Sequence, residues 1–256
     1  MEISYAEFLQ HINRFYLPFL RISSFFMVVP IFGSRLVTKK VRLLIAVSVT
    51  YCVATGISDV PTFDPISLAS IPLIFKQIVI GVGMGFMVQI FIQLAALAGQ
   101  IMAMQMGLGF AMMMDPSNGV NTVTIGQLYL MLFTLLYLAV DGHLVTMSIM
   151  IDSFHTFPLT QTSFDVGMFR YITQMSSWMF VNALKIALPA IMALYIVNFT
   201  FGVMSRAAQQ LQIFSIGFPF TLIYGLLIVW IVVGGLLPQF ESIFESLLQR
   251  MQALRP

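Results

Sequence analysis

Residues 73–98 read LIFKQIVIGVGMGFMVQIFIQLAALA. The run is longer than the ~20 apolar residues that cross a hydrocarbon core as a helix, and its polar members include Lys76, Gln89 and Gln93. Gly81, Gly83 and Gly85 lie close together on it, a small-residue face on which another helix can approach; packing, and not a hinge, is the expectation for them. A segment of this length and character belongs to an all-α chain of polytopic hydrophobic helices.

The whole chain repeats that character. Of its 256 residues 59% are hydrophobic and 9% charged, with 24 Phe and 19 Met, whereas a soluble domain carries about a quarter charged residues. Disorder needs the opposite balance. A net charge of +2 provides no basic field for nucleic acid. One cysteine excludes an intramolecular disulfide and a cysteine-built zinc cluster, and Cys52 in its apolar run reads as a small buried hydrophobe. The opening Met1-Glu2-Ile3-Ser4-Tyr5-Ala6-Glu7 lacks the basic start of a cleaved leader, so the first apolar segment is expected to persist.

Further apolar stretches run over 8–32, 41–57, 126–151, 175–201 and 213–237, giving about six spans. The first carries His11, Arg14 and Arg21 at helical spacing, cations expected to face protein, headgroups or water. Residues 58–72, with Asp59, Asp64 and three prolines, read as a turn region. The 126–151 stretch is either one span or a span broken at Asp141-Gly142-His143, followed by a turn holding Asp152, His155, Pro158 and Asp165. Residues 202–212 form a polar connector. Residues 239–256 make an amphipathic C-terminal tail, with Phe240, Ile243, Phe244, Leu247, Leu248 and Met251 on one face, suited to a partner or an interface. The basic clusters at 35–42 and Arg206 fall on one side of this arrangement, which sends both termini outward.

One segment breaks the pattern. Gly107-Leu108-Gly109-Phe110-Ala111-Met112-Met113-Met114-Asp115-Pro116-Ser117-Asn118-Gly119 has glycines and a proline that oppose regular helix, yet Phe and three consecutive Met that oppose a solvated loop. Irregular apolar backbone must be buried in protein or line a cavity. Methionine fills irregular gaps and repacks when something pushes through. Ordinary core filling is the alternative.

Catalytic patterns are missing: there is no Gly-x-Ser-x-Gly elbow, His-Glu-x-x-His or glycine-lysine phosphate loop. Asp141, His143, Asp152 and His155 fit a metal site or proton relay in composition only; their spacing matches no ligand pattern on one helix, so capping at a turn is preferred. No cofactor and no metal is expected. Lys185 is the one cation deep in the 175–201 span, with Asn182 and Asn198 on the same helix. Such a lysine needs an anionic or carbonyl partner or a watery lumen, and pairing within an assembly is preferred to proton transport.

Several motifs, in order, carry a resemblance: Pro30-Ile31-Phe32-Gly33; Gly99-Gln100 leading into Gly107-Leu108-Gly109-Phe110 and Asp115-Pro116; Gly142-His143; and Ser205-Arg206 through Gln210-Leu211-Gln212-Ile213-Phe214-Ser215-Ile216-Gly217-Phe218-Pro219. End to end the chain resembles the FliR family, flagellar type III export-gate subunits similar to the SctT subunits of injectisomes. It departs at Ala208-Gln209-Gln210-Leu211-Gln212, where the family has Ala-Pro-Gln-Leu-Asn.

The resemblance implies a non-enzymatic subunit of a protein-export channel, with residues 1–256 as a single export-gate domain. It implies bent helical hairpins, a FliP-like and a FliQ-like portion fused, and one copy joined to several FliP and FliQ in a helical assembly at the inner membrane and flagellar basal body. FlhB would wrap the entrance and unfolded export substrates would pass. Membrane lipid is a further contact and nucleic acid is none. It also implies that residues 105–122 form a loop plugging the pore, on Gly107, Leu108, Gly109, Phe110, Met112, Met113, Met114, Asp115 and Pro116. Lys185 and Arg206 are the assembly or ion-pair residues. The competing function is a proton-coupled small-solute secondary transporter, which would show matching interruptions in two halves of the chain; the 107–119 segment has no counterpart in the second half.

Overall fold

The computed structural model describes residues 5–34, 37–57, 67–108, 124–159, 166–207 and 213–254. Eight α-helices and one 3-10 turn occupy most of them, and no strand occurs among the described residues. In chain order the helices are α1 (Tyr5–Val28), α2 (Lys39–Ala54), α3 (Ile71–Gln105), α4 (Thr124–Ala139), α5 (Gly142–Thr156), α6 (Val166–Ala207), α7 (Ile213–Gly234) and α8 (Leu236–Gln252), with the 3-10 turn at Leu68–Ser70.

Two prolines mark helix ends. Pro72 occupies the first turn of α3, where its missing N–H would have had no intrahelical partner. Pro158 follows the α5 cap residue Phe157 and prevents continuation. The 126–151 stretch is broken, as one of its two alternatives had it: Asp141 takes a left-handed conformation, φ 53°, between α4 and α5. Asp152 and His155, expected in the following turn, instead lie inside α5, because the apolar periodicity continues to Phe154. Residues 202–207 of the expected connector likewise continue α6, and residues 208–212 lie outside the described residues.

The expectation of about six spans is corrected. Among the described residues two helices, over Ile71–Gln105 and Arg170–Met204, are long and apolar enough to cross a membrane, or up to four if each broken pair, α4 with α5 and α7 with α8, is one span. α1 fails because it carries Asn13, Arg14 and Arg21. The 16 residues of α2 reach only ~24 Å at 1.5 Å per residue, short of a hydrocarbon core of about 30 Å. α7 and α8 meet at Gly235 with a bend of 59°.

The chain divides into two compact units. The first draws on residues 1–90, 141–175 and 246–256. In it α1 binds α2 through Arg14, whose Nε donates to the Ala54 carbonyl at 2.9 Å and whose Nη2 donates to that of Thr55 at 3.1 Å, closing the C-terminal end of α2. α1 crosses α3 on the glycine face, as expected. A Cβ at Gly81 would collide with Ser24 Oγ and the Arg21 carbonyl, and one at Gly85 would stand 3.0 Å from the Phe25 carbonyl oxygen. Leu17, Ile22, Phe25, Phe26, Ile80 and Met87 are fully buried there.

The second unit draws on residues 91–140 and 176–245. Its centre is aromatic. Phe91 of α3 meets Phe133 of α4 at 5.8 Å and Phe240 of α8 at 5.5 Å, Phe133 meets Phe240 at 5.2 Å, and Tyr137 meets Phe244 at 5.9 Å edge to face. Phe240, Ile243 and Phe244, on the apolar side of the C-terminal segment, are thus buried by this same chain, and Leu247 and Met251, which belong to the first unit, are buried as well.

Candidate functional site

The helices on either side of the stretch after Leu108, α3 and α4, contribute their facing ends to the second unit. α3 stays helical through Gln105 and then ends on Gly107, whose φ of 86° closes the helix and whose N–H donates to the Met104 carbonyl at 3.1 Å. A left-handed residue just past the last turn is the common way to end a helix, and only glycine takes it without strain. Met102 and Met106 are fully buried, Met104 points away and is 72% exposed, and Gly107 and Leu108 are half-buried.

The last carbonyls of α3 are covered from other helices. Thr221 Oγ1 of α7 donates to the Met106 carbonyl at 3.4 Å, and Asn198 Nδ2 of α6 donates to that of Gln105 at 3.5 Å. Both are long, so they orient the helix end more than they strengthen it. Gly225 of α7 lies directly against the Met106 side chain, with no room for a Cβ unless the methionine moves. On the returning strand of chain, α4 begins at Thr124, and Gly126 meets Gly99 of α3: a Cβ on Gly99 would lie 2.7 Å from Gly126 Cα and from the Ile125 carbonyl oxygen. The end of α3 is thus oriented by side-chain contacts, and the start of α4 is held by a backbone contact. Gly109, Phe110, Met112, Met113, Met114, Asp115 and Pro116 lie outside the described residues.

The remaining sequence-selected residues separate. Lys185 is exposed near the middle of α6, and Arg206 is exposed in its last turn, where a cation complements the negative end of the helix dipole. Asp141 starts α5 without a side-chain cap bond; its backbone carbonyl accepts instead from Leu144 at 2.9 Å and Val145 at 3.2 Å. The preferred capping role thus falls to its backbone. His143 is half-buried with Nδ1 unpartnered, while His155 and Asp152 are exposed. Cys52, expected buried, is exposed on α2, because this short helix buries only Ala46, Thr50 and Ala54.

The strongest polar constellation is one the sequence marked only as a cation on an apolar helix. Arg21 of α1 is fully buried in the first unit. Its Nε donates to Gln77 Oε1 at 2.8 Å, Nη1 to the Ser153 carbonyl at 2.9 Å and Ser153 Oγ at 3.2 Å, and Nη2 to the Phe157 carbonyl at 2.8 Å. The guanidinium carbon stands 4.2 Å from the centre of the Phe154 ring. Burial pushes the guanidinium down to about 9, which leaves it charged at neutral pH. Among the described residues no carboxylate pairs with it; the negative end of α5 does that work through the Ser153 carbonyl, which also accepts from the Phe157 N–H, and the Phe157 carbonyl. Gln77 is one of several polar residues on α3, so nothing in the sequence singled it out as the partner of Arg21.

Comparison with known proteins agrees with this architecture. Residues 12–247 match the family model described as bacterial export proteins, family 1. The flagellar biosynthetic protein FliR of Escherichia coli is 33% identical over 96% of this chain and 94% of its own length. That of Buchnera aphidicola subsp. Acyrthosiphon pisum is 32% identical over 93% and 92%, and that of Bacillus subtilis 26% over 94% and 93%.

Proposed function

The chain belongs to the bacterial export proteins, family 1, as a flagellar export-gate subunit, and from that premise we propose that its 105–122 loop is the plug of a protein-conducting channel. The channel forms when the chain, as one export-gate unit over residues 1–256, joins FliP and FliQ homologues in a single copy. A FlhB homologue sits at its entrance, and the assembly lies in the inner membrane at the flagellar basal body. Unfolded flagellar proteins are its substrates. The chain performs no chemistry.

The observation that carries this is the anchoring of the loop. Its entry is held at Gly107, with Thr221 and Asn198 on the α3 carbonyls, and its exit is held where Gly126 meets Gly99. Between two fixed ends stand residues that refuse helix and refuse water, Gly109, Phe110, Met112, Met113, Met114, Asp115 and Pro116. An apolar constriction closes a pore to ions by excluding water, and flexible methionines let it yield to a polypeptide. Lys185 and Arg206, exposed on α6, serve assembly with the neighbouring subunits.

The test replaces Met112, Met113 and Met114 with serine in the assembled complex. Ion conductance or small-solute leakage through resting cells should rise, with FliP and FliQ still co-purifying and export retained. Unchanged leakage from an intact complex would refute the plug.

A further inference from the structure

We propose that Arg21 and Gln77, buried together in the first unit, form a binding site for one monatomic anion of the chloride type, which completes the joint between α1, α3 and α5. The site is separate from the 105–122 loop and does not depend on the plug.

Gln77 is 0% exposed, and the bond from Arg21 Nε to its Oε1 fixes which way the amide points. Its Nε2 is enclosed and has no hydrogen-bond partner among the described residues. Turning the amide over would not relieve this, because the nitrogen would then set its donors against those of the guanidinium. Arg21 itself makes four hydrogen bonds, one fewer than the N–H groups of a guanidinium. Donors therefore outnumber acceptors around the pair. A buried donor left without an acceptor is costly, so the site calls for an acceptor from outside the chain.

Charge decides which kind. Arg21 carries a full positive charge, whereas the end of α5 that faces it supplies roughly half a negative one. Lys76, the residue before Gln77, is buried too and lies near enough to Arg21 for their charges to repel. A water molecule could accept from the spare N–H groups, but it would bring hydrogens that need acceptors of their own and no charge. An anion accepts from all of them and supplies the missing charge, as buried charges require.

Size narrows the choice further. Arg21 and Gln77 are both 0% exposed, so an acidic side chain of another polypeptide does not reach them. One turn further along α3, a Cβ at Gly81 would collide with the Arg21 carbonyl and Ser24 Oγ. Helices that approach so closely leave room for a single small ion and not for sulfate, phosphate or an organic acid.

The experiment uses the full chain in complexes purified in detergent from native membranes and equilibrated in sodium chloride, sodium bromide or sodium gluconate at one ionic strength. Hydrogen–deuterium exchange of the peptide 150–157 should be at least about fivefold slower in saturating chloride or bromide than in gluconate, since a bound ligand slows opening by the factor 1 + [L]/Kd. Gln77→Glu supplies the acceptor and the counter-charge from the chain itself, so its exchange should be slow and the same in all three salts. Should that variant fail to accumulate, chloride-36 bound to the unaltered complex decides the matter: one ion per chain, displaced by bromide and not by gluconate, is expected. Equal exchange of the unaltered complex in the three salts would mean that water is the acceptor and would overturn the proposal. Halide dependence that persists in Gln77→Glu, or no retained chloride-36, would overturn it as well.

Discussion

Gly99 of α3 and Gly126 of α4 meet backbone to backbone: a Cβ on Gly99 would lie 2.7 Å from the Cα of Gly126. No side chain separates the helices at this point, so neither can shift without a backbone clash. Gly99→Ala should therefore force α3 and α4 apart and destabilise the chain by roughly 1–3 kcal/mol, the cost of overpacking. Thermal unfolding of the purified complex in detergent should show a lowered midpoint.

Gly225 gives the contrasting case. A Cβ there would also collide, but with the Cγ, Sδ and Cε of Met106, which are parts of a flexible side chain. Gly225→Ala should cost less than about 1 kcal/mol, while Gly225→Leu should displace Met106 and disturb the start of the loop. Melting temperature and small-solute leakage, measured on both variants, check the ordering.

Removal of the Arg21 guanidinium should be severe. Arg21→Met leaves the Phe157 carbonyl and Gln77 Oε1 without this donor, at roughly 1–3 kcal/mol for each stranded group before relaxation, while the Ser153 carbonyl keeps its bond from the Phe157 N–H. Arg21→Lys restores charge but not the fork, and should recover only part of the loss. Protease resistance of the first unit in mild detergent, scored for both, should rank arginine above lysine above methionine.

Phe91 touches four aromatic rings, those of Phe133, Tyr137, Phe240 and Phe244. Phe91→Ala should lower stability by about 3–5 kcal/mol, and Phe91→Leu by much less. Chemical unfolding that compares the two variants tests this.

At Asp141 the backbone, not the side chain, sets the outcome. Its φ is 53° and its side chain makes no cap bond. Asp141→Gly should be neutral or slightly stabilising, whereas Asp141→Val should cost roughly 1–2 kcal/mol, since a branched side chain is disfavoured there. Melting temperatures of the two variants should move in these different directions.

Much of the architecture was legible because it depends on local composition. The run at 73–98 announced α3, the glycines at 81 and 85 announced a close helix crossing without naming α1 as the partner, and Asp141-Gly142 offered a break that the backbone takes. Span number was not legible in the same way. Hydropathy registers apolar length, but it does not distinguish a straight crossing from α7 and α8 bent at Gly235, or a short helix such as α2 from a full one. Arg21 shows a second limit. Its charge signalled that lipid was the wrong neighbour, yet two of its four acceptors are backbone carbonyls at the C-terminal end of α5, and every residue type carries one, so sequence cannot point to them. For the loop, its ends at Gly107 and Gly126 were visible as glycines, while Thr221 and Asn198, which cover the α3 carbonyls, are distant in sequence and carry no motif.

The aromatic cluster also has a consequence for biogenesis. Phe91, Phe133 and Tyr137 emerge early, but Phe240 and Phe244, which complete their packing, come about a hundred residues after Tyr137. At ~5–20 residues per second of synthesis, the earlier rings wait for roughly 5–20 s before the last helix arrives. During that interval the nascent chain presents an open aromatic surface, and a holding factor or a neighbouring subunit that covers it would decide whether the second unit closes or aggregates.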